Sequence, residues 1–510
     1  MILTSAARVS RGCEETLGFL YHSTRSDAHS VTGKFAIRTG IAPDGGLYVR
    51  DGLEGEHLDL TRICNSTFQE TSLDVLARFL TDFSHDELAA CVSAAYGATF
   101  DDERIAPVRP LGSDYMLELF HGPTSAFKDV ALQMLPHLML RSRAHEDDKI
   151  LVLTATSGDT GKAALEGFAG IDGVGICVFY PYRKVSDVQE LQMVCQTGSN
   201  VGVCAVRGTF DDSQTGVKRI FGDAALIDAL AQRNVALSSA NSINIGRLVP
   251  QIAYYIDAYA QLVRAGAVTL GEKVDFCVPT GNFGNVLAGF YAELMGLPVG
   301  TLIVASNTNN VLTDFITTGT YDRRRAFNAT ISPSMDILVS SNLERLLYHL
   351  SGGDCDYVAS LMADLAEKGA YTVSDELKER IGSIFGCGYA TDAETSAAIR
   401  STYGNTGVLI DPHTAVGKHV LDGLETSGRA RVLVATASPY KFSADCLKAL
   451  GHDAEDLSGF EAMDALEQLT GTAAPLQLSS LRSMERLHDD VCAIERMGAF
   501  VESVAARIFA

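Results

Sequence analysis

A lysine beside an aromatic ring is the strongest candidate for chemistry in this chain. The segment His121-Gly-Pro-Thr-Ser-Ala-Phe-Lys128-Asp129 places Lys128 after a Gly-Pro turn and ahead of an apolar stretch, 130–140, that predicts an amphipathic helix. The apolar residues around it would bury its stem, and burial lowers the pKa of an amine towards that of a usable nucleophile or Schiff-base former. Most lysines are solvated surface charges, so spacing alone leaves Lys128 a candidate.

Polar loops that follow predicted strands supply the next candidates, because open α/β sheets bind ligands at the carboxyl ends of their strands. The loop Thr280-Gly-Asn-Phe-Gly-Asn285 has two glycines that let the backbone approach an anion, with the N–H groups of the next helix aimed at it. A phosphate cradle and an ordinary tight turn explain this loop equally well. It lacks the Walker lysine and the Gly-x-Gly-x-x-Gly spacing, so a nucleotide site is not supported.

Two other loops offer groups that suit an anionic substrate. Thr156-Ser-Gly-Asp-Thr-Gly161 carries hydroxyls and free amides ahead of a predicted helix, although a plain helix N-cap explains the same residues. Asn241-Ser-Ile-Asn-Ile-Gly-Arg247 adds an arginine that could grip an oxyanion with two hydrogen bonds. The alternative for Arg247 is an ordinary salt bridge.

Two late segments carry weaker signals. Thr436 closes an apolar run over 431–435, where its hydroxyl could meet a ring nitrogen or simply end a strand. Asp411-Pro-His-Thr414 offers an acid–base pair, but a single histidine in a turn is more often structural, so His413 is not counted as catalytic. The twelve histidines show no paired ligand spacing, and no metal site is expected.

Composition excludes several classes of function. A chain of 510 residues is expected to form two or three domains. Its 63 acidic and 41 basic side chains, a net charge of −22, argue against nucleic acid or an anionic membrane as the main partner. Eleven cysteines without a Cys-x-x-Cys pair indicate reduced thiols. No apolar run approaches the roughly 20 residues that span a bilayer, so the cytoplasm is the expected compartment.

The elements that must position these residues follow a strand, polar loop, helix order. Short apolar strands are predicted at 149–154, 174–179, 275–279 and 431–435. Helices are predicted at 162–168 and 286–295, and one long helix-like stretch lies earlier, at 72–96. This alternation is typical of βαβ units, and the predicted fold class is α/β with an open, mostly parallel sheet.

Taken together, these segments resemble the threonine synthase family of pyridoxal-phosphate enzymes, within the tryptophan-synthase-β fold group. The likeness extends over almost the whole chain and includes the lysine segment and, in family order, Ile41-Ala-Pro-Asp-Gly-Gly-Leu47, Val185-Ser-Asp-Val-Gln-Glu-Leu-Gln-Met193, Gly208-Thr-Phe-Asp-Asp212 and Ser332-Pro-Ser-Met-Asp336. It implies a fold-type II enzyme with two interleaved subdomains of open, mostly parallel sheet over 106–510. An N-terminal α+β domain over 19–105 precedes them, and residues 1–18 are expected to be a disordered extension.

The resemblance also implies roles for individual residues. Lys128 matches the lysine that forms a Schiff base with pyridoxal 5′-phosphate, and Thr436 matches a hydroxyl residue near the pyridine nitrogen. The loop that holds the cofactor phosphate corresponds to Gly281, Asn282, Phe283, Gly284 and Asn285. The substrate-side residues correspond to Ser157, Asp159, Thr160, Ser242, Asn244 and Arg247.

The implied activity is a lyase that converts O-phospho-L-homoserine and water into L-threonine and phosphate, the last step of threonine biosynthesis, in a monomer or homodimer. Three departures from the family concern substrate positioning. Ser125 stands where an aromatic residue is frequent, Ser438-Pro-Tyr440-Lys-Phe442 replaces His-Pro-Ala-Lys-Phe, and Ser306-Asn-Thr-Asn-Asn310 lacks acidic residues. Two alternatives stay open: a phospho-lyase that releases 2-oxobutyrate, ammonia and phosphate, and a catalytically silent homologue.

Overall fold

The computed structural model describes residues 19–156 and 158–509. The extension predicted over 1–18 and the predicted substrate residue Ser157 lie outside these described residues. Within them the strands are β1 (Tyr21–Ser23), β2 (Ser26–Val31), β3 (Tyr48–Arg50), β4 (Val108–Leu111), β5 (Asp114–Glu118), β6 (Lys149–Ala155), β7 (Val174–Pro181), β8 (Val201–Val206), β9 (Val235–Ser238), β10 (Val274–Pro279), β11 (Val299–Ser306), β12 (Thr320–Asp322), β13 (Ala370–Thr372), β14 (Phe385–Tyr389), β15 (Ala430–Ala435) and β16 (Asp490–Cys492).

The helices of the same part of the chain are α1 (Gly33–Thr39), α2 (Leu60–Ile63), α3 (Phe68–Phe79), α4 (His85–Ala95), α5 (Lys128–Arg141), α6 (Asp159–Phe168), α7 (Asp187–Val194), α8 (Phe210–Phe221), α9 (Ala224–Ala231), α10 (Ile245–Leu248), α11 (Ile252–Arg264), α12 (Gly284–Leu294), α13 (Val311–Thr318), α14 (Leu343–Leu350), α15 (Cys355–Glu367), α16 (Asp375–Ile384), α17 (Asp392–Thr406), α18 (Pro412–Gly423), α19 (Ser443–Ala449), α20 (Gly459–Thr470), α21 (Leu476–Ser479) and α22 (Met497–Ile508). None of them combines the length and hydrophobicity needed to cross a bilayer within the described residues.

Two sheets carry the catalytic region. The larger sheet has the strand order β14-β11-β10-β15-β5-β4 and is parallel except for the β4–β5 pair. The smaller sheet, β16-β8-β7-β6-β9, is parallel throughout. The chain leaves the larger sheet after β5, builds β6 to β9 of the smaller one, and returns at β10. The predicted open, mostly parallel sheets are confirmed.

The buried strands explain why these sheets form. Every residue of β7, β8 and β10 is buried, which is the pattern of parallel strands covered by helices on both faces. The strands predicted at 149–154, 174–179, 275–279 and 431–435 are confirmed as β6, β7, β10 and β15 within two residues. Because parallel strands end at one edge, the loops after β5, β10 and β15 meet beside those after β6 and β9.

The N-terminal region forms a three-stranded antiparallel sheet, β2-β1-β3, with helices α1 to α4. The single stretch predicted at 72–96 is wrong, because α3 ends at Phe79 and α4 begins at His85. Ser84 and Glu87 form a capping box that starts α4, and Thr67 and Glu70 form one that starts α3. These local hydrogen bonds outweigh an apolar periodicity that runs across the break.

Helices α5 and α6, which follow β5 and β6, cross at unusually short range. Gly167 of α6 faces the backbone of Leu132 in α5, and a Cβ atom at Gly167 would lie 1.9 Å from the Leu132 carbonyl oxygen. Only a glycine allows this approach. The first residues of the two helices, Lys128 and Asp159, lie close together in the cleft between the sheets.

Candidate active site

Lys128 is the first residue of α5 and is buried in the cleft. The preceding loop is held against β15, since the Phe127 N–H donates to the Thr436 carbonyl at 2.8 Å. The Lys128 Nζ lies 3.3 Å from Ser334 Oγ and 3.6 Å from Asp159 Oδ2. Burial lowers the pKa of Lys128 to about 8; Asp159 opposes this shift, while the charges of Arg247 and Lys441 add to it. A lysine in this state is partly neutral near pH 7.5.

Asp159 is a buried carboxylate shared by several donors. Its Oδ1 accepts from Lys441 Nζ at 2.8 Å and from Gln189 Nε2 at 3.3 Å, and its Oδ2 accepts from Ser334 Oγ at 3.3 Å. Burial by itself would raise the pKa of Asp159, but the charges of Lys441 and Lys128 outweigh it and hold that pKa well below its usual range. Asp159 is therefore ionised near neutral pH.

The loop after β10 wraps the N-terminus of α12. Phe283 adopts a left-handed backbone (φ 63°) and turns the chain into the helix at Gly284. A strap, residues 330–342, covers this loop: Ser340 Oγ donates to the Gly281 carbonyl at 2.7 Å, and the Asn342 N–H donates to the Asn282 carbonyl at 3.1 Å. The strap thus backs the loop that leads into α12, whose first N–H groups have no carbonyl partner within the helix.

Asn285, in the first turn of α12, has one half of its amide satisfied and one half open. Its Oδ1 accepts from the hydroxyls of Tyr254 at 2.6 Å and Tyr255 at 2.8 Å. Its Nδ2 is buried and has no hydrogen-bond partner among the described residues. Buried polar atoms in proteins are normally paired, so Nδ2 is a candidate donor to a ligand.

Arg247, in α10, is buried without an acidic partner among the described residues. Its Nη1 donates to the Ala240 carbonyl at 2.9 Å, and its Nε is buried with no partner. Burial lowers the pKa of Arg247 to about 10. A salt bridge, the alternative considered for this residue, is therefore not found, and an unpaired buried guanidinium is a strong site for an anion.

The other predicted substrate residues are Asn244, Thr160 and Ser242. The Asn244 side chain caps α10 by accepting from the Gly246 N–H, and its Nδ2 donates to the carbonyls of Ile37 and Ser239. These bonds favour a supporting role for Asn244 over the predicted contact with substrate. Thr160, the second residue of α6, and Ser242, in the turn before α10, are half-buried, and the roles implied for them stay predictions.

Three residues of the cluster were absent from the sequence-based site: Lys441, Ser334 and His413. His413 Nε2 accepts from the Ser334 N–H at 3.1 Å, and its Nδ1 lies 2.8 Å from Asp411 Oδ1, so His413 holds the strap over Lys128. This agrees with a structural histidine. Lys441 and Ser334 lie in segments that the sequence marks only by their resemblance to family motifs.

Comparison with known proteins identifies the family to which this chain belongs. Residues 20–96 match the family model of the threonine synthase N terminus, and residues 115–437 match that of pyridoxal-phosphate dependent enzymes. The chain belongs to the threonine synthase family. It is 38% identical to threonine synthase of Pseudomonas aeruginosa over 433 residues, which cover 84% of this chain and 90% of that protein. It is 40% identical to human threonine synthase-like 1 over 439 residues, 82% of this chain, and spans about 58% of that relative's length.

Solved structures of the family share the fold. The pyridoxal-phosphate-bound threonine synthase of Brucella melitensis superposes with a TM-score of 0.86 at 35% identity, covering 97% of this chain and all of that one. Yeast threonine synthase gives a TM-score of 0.84 at 31% identity, covering 96% and 99% of the two chains. The predicted fold-type II class and the predicted cofactor, pyridoxal 5′-phosphate, are confirmed.

The residues of the cleft fit this cofactor. A buried amine with a pKa of about 8 suits imine formation with an aldehyde, because attack needs the neutral amine. The N-terminus of α12 offers N–H groups and a positive dipole end to a phosphate. The unpartnered atoms Asn285 Nδ2, Arg247 Nε and Ser125 Oγ need hydrogen bonds that the described protein does not supply.

Proposed function

We propose that this protein is a threonine synthase, which converts O-phospho-L-homoserine and water into L-threonine and phosphate. The observation that carries the proposal is one cleft with a buried lysine of lowered pKa and two separate groups that suit anions. Lys128 contacts Asp159 and Ser334. The loop 280–285 would bind one anion, and Arg247, whose Nε has no partner among the described residues, would bind the other. A phosphorylated substrate that reacts with a phosphorylated cofactor requires both.

The loop 280–285 would hold the cofactor phosphate, because it combines backbone N–H groups with the dipole of α12. Lys128 would hold the cofactor through its aldehyde, and Thr436, at the end of β15, would face the ring nitrogen. Pyridoxal phosphate, when bound, supplies an electron sink for negative charge at the substrate Cα. The remaining work falls to the side chains of the cleft.

Lys128 would be the base that takes the proton from the substrate Cα and later returns protons to the carbon chain. Its pKa of about 8 suits both tasks near neutral pH. Ser334 Oγ, at 3.3 Å from both Lys128 Nζ and Asp159 Oδ2, orients the amine. Asp159 remains ionised and stabilises the ammonium form after each proton is taken up.

Arg247 would bind the phosphate of the substrate. Its burial removes competing water, so a charge-assisted pair with the phosphate is strong there. The same pair stabilises the phosphate as it leaves Cγ, after loss of a proton from Cβ. Water then adds at Cβ, which gives threonine, and the sum of substrate and water equals threonine plus phosphate.

The test is a product assay on the purified chain loaded with pyridoxal phosphate. With O-phospho-L-homoserine we expect threonine and inorganic phosphate in equal amounts and no 2-oxobutyrate. Lys128→Ala is expected to lose both the visible absorption band and all product. Lys368→Ala, at an exposed lysine paired only with Asp364, is the matched control and is expected to behave as wild type.

The phospho-lyase is the second candidate, raised by the departures at Ser438 and Tyr440. The departures that raised it have local partners: the Tyr440 hydroxyl donates to the Thr472 carbonyl at 2.5 Å, and Ser438 Oγ accepts from the Tyr440 N–H at 3.4 Å. Both side chains are thus engaged within the protein. Formation of 2-oxobutyrate, ammonia and phosphate without threonine would overturn the synthase in favour of the lyase. A visible band with no product from this substrate would overturn both and leave a silent homologue.

A further inference from the structure

Lys441 is a completely buried lysine next to the candidate active site. It lies in the 3₁₀ turn Pro439–Phe442 that follows β15, and its side chain has 0% exposure. Its Nζ donates to Asp159 Oδ1 at 2.8 Å and to the Thr124 carbonyl at 2.9 Å. Burial of an ammonium group costs free energy unless the group is paired, so these two contacts are needed to keep Lys441 charged in this position.

The two contacts of Lys441 join the two halves of the cleft. Thr124 lies in the loop between β5 and α5, on the larger sheet, and Asp159 begins α6, on the smaller one. Lys441 itself follows β15 of the larger sheet. Its ammonium therefore ties the loop that carries Lys128 to the helix that carries Asp159.

The charged and titratable groups around Lys128 come from five elements, its own helix α5 included. The Asp159 carboxylate of α6 lies 3.6 Å from Lys128 Nζ. Positive charge comes from Lys441, in the turn after β15, and from Arg247, in α10. His413 of α18 is bonded to the strap backbone at Ser334, and the neighbouring Asp129 carboxylate is turned to Thr124. Asp159 is thus the one carboxylate in contact with the Lys128 amine among the described residues.

An Asp159 carboxylate with no other cation would hold Lys128 as an ammonium ion, which is neither a nucleophile nor a base. Lys441 occupies Oδ1 of that carboxylate at a shorter distance, 2.8 Å, than Lys128 has to Oδ2, 3.6 Å. The pair of Asp159 with Lys441 is close to neutral as a unit. Lys128 then experiences a hydrogen-bonding group rather than a full opposing charge.

We propose that Lys441 is a positioning residue that holds Asp159 in a permanent buried ion pair and thereby keeps Lys128 easy to deprotonate. The inference deepens the role proposed above for Lys128, and it depends on neither the substrate nor the product. The direction of the pKa of Lys128 agrees: burial lowers it, Asp159 raises it, and Arg247 and Lys441 lower it again to about 8.

The test measures the protonation of Lys128 without any turnover. The full-length chain, freed of cofactor, is labelled with a trace of acetic anhydride across pH 6–11, and the acetylation of Lys128 is quantified by mass spectrometry. Wild type is expected to show a midpoint near pH 8. Lys441→Met is expected to move the midpoint up by about one unit, because an opposite charge at contact distance shifts a pKa by about 1–3 units. Labelling of Lys128 at pH 7 then slows about tenfold.

Three variants complete the design. Lys441→Arg keeps the charge and is expected to restore the wild-type midpoint, and Asp159→Asn is expected to move it down. Lys162→Met is the matched control: Lys162 is a buried lysine on the same α6, paired with Glu166 at 2.8 Å, and its loss should leave the midpoint in place. Far-ultraviolet circular dichroism and urea unfolding verify that each variant is folded.

A folded Lys441→Met with the wild-type midpoint, or an equal upward shift in Lys162→Met, would overturn the inference. If Lys441→Met does not fold, Asp159→Asn decides, and a midpoint that fails to fall refutes it. The product assay separates the two proposals. Threonine formation with an unshifted Lys441→Met refutes the role of Lys441 alone, whereas a shift without threonine refutes the function alone.

Discussion

The close crossing of α5 and α6 makes Gly167→Ala the sharpest test of how this fold builds its site. A Cβ atom at Gly167 would lie 1.9 Å from the Leu132 carbonyl oxygen, 2.8 Å from its carbonyl carbon and 3.4 Å from the Gln133 nitrogen. All three are backbone atoms, so no side chain can swing aside. Because real Cβ contacts are essentially never shorter than 3.0 Å, the helices must separate by about 1.1 Å.

The cost follows from overpacking. Extra atoms forced into a packed core cost about 1–3 kcal/mol, and a rigid backbone places this contact at about 3 kcal/mol. The helix propensity of alanine over glycine returns about 1 kcal/mol. The net loss of unfolding free energy is about 2 kcal/mol, which is about 0.7 M of urea midpoint at an m value of about 3 kcal/mol/M. The separation also lengthens the 3.6 Å contact between Lys128 and Asp159 and should weaken cofactor binding.

The measurement is urea unfolding followed by both circular dichroism and intrinsic tyrosine fluorescence, because a chain of 510 residues need not unfold in one step. Gly382→Ala is the matched control: it also lies inside a helix, α16, but its Cβ would meet nothing within 4 Å. We expect that variant to be unchanged or more stable by up to about 1 kcal/mol. A Gly167→Ala midpoint equal to that of Gly382→Ala would refute the steric argument.

Three further outcomes follow from the site and its surroundings. Burial lowers the pKa of His121, but hydrogen bonds to Asp101 and Glu118 outweigh burial and raise that pKa to about 9. The protonated imidazole therefore stabilises the folded state fully below about pH 6.5, and this stabilisation is lost as the pH rises through about 9. Wild type should therefore lose about 1–2 kcal/mol of unfolding free energy over that range, whereas His121→Asn should not. Arg247→Met should raise the KM for O-phospho-L-homoserine about 100-fold in steady-state kinetics, and an unchanged KM would contradict its phosphate role. Asn285→Ala should lower the free energy of unfolding, measured by urea titration, by about 1–3 kcal/mol, because two buried tyrosine hydroxyls lose their acceptor. Asn285→Asp should restore the wild-type value, because a carboxylate oxygen can accept both hydrogen bonds.

Much of the site was predictable because its parts are locally encoded. The strands β6, β7, β10 and β15 are short apolar runs bounded by polar residues, and a pattern within six or eight residues suffices to recognise them. The burial of Lys128 follows from its immediate apolar neighbours. The two glycines of the loop 280–285 predict a turn at this position. Long motifs in family order then allowed these pieces to be predicted as parts of one cofactor site.

Other features are determined by hydrogen bonds that a periodicity cannot register. The helix break between Phe79 and His85 arises because the Ser84 capping box competes successfully with a continuous apolar pattern. The sequence alone suggests that the Asn244 side chain is free to bind substrate, yet its Nδ2 donates hydrogen bonds to two backbone carbonyls. The capping box is a local signal that the apolar pattern obscured, whereas the Ile37 carbonyl lies 207 positions from Asn244 in the chain and reaches it only through folding.

Local patterns and family motifs in the sequence were enough to predict the fold class and the cofactor, which are confirmed, and to propose Lys128 and the loop 280–285 as its binding residues. The charges that surround Lys128 could be identified only from the folded chain. Ser334 and Lys441 lie 206 and 313 positions beyond Lys128 in the chain, and both meet Asp159 because parallel strands of two sheets end at one cleft. The pKa of an amine depends on groups within a few ångströms, and strand pairing, rather than spacing along the chain, sets those distances.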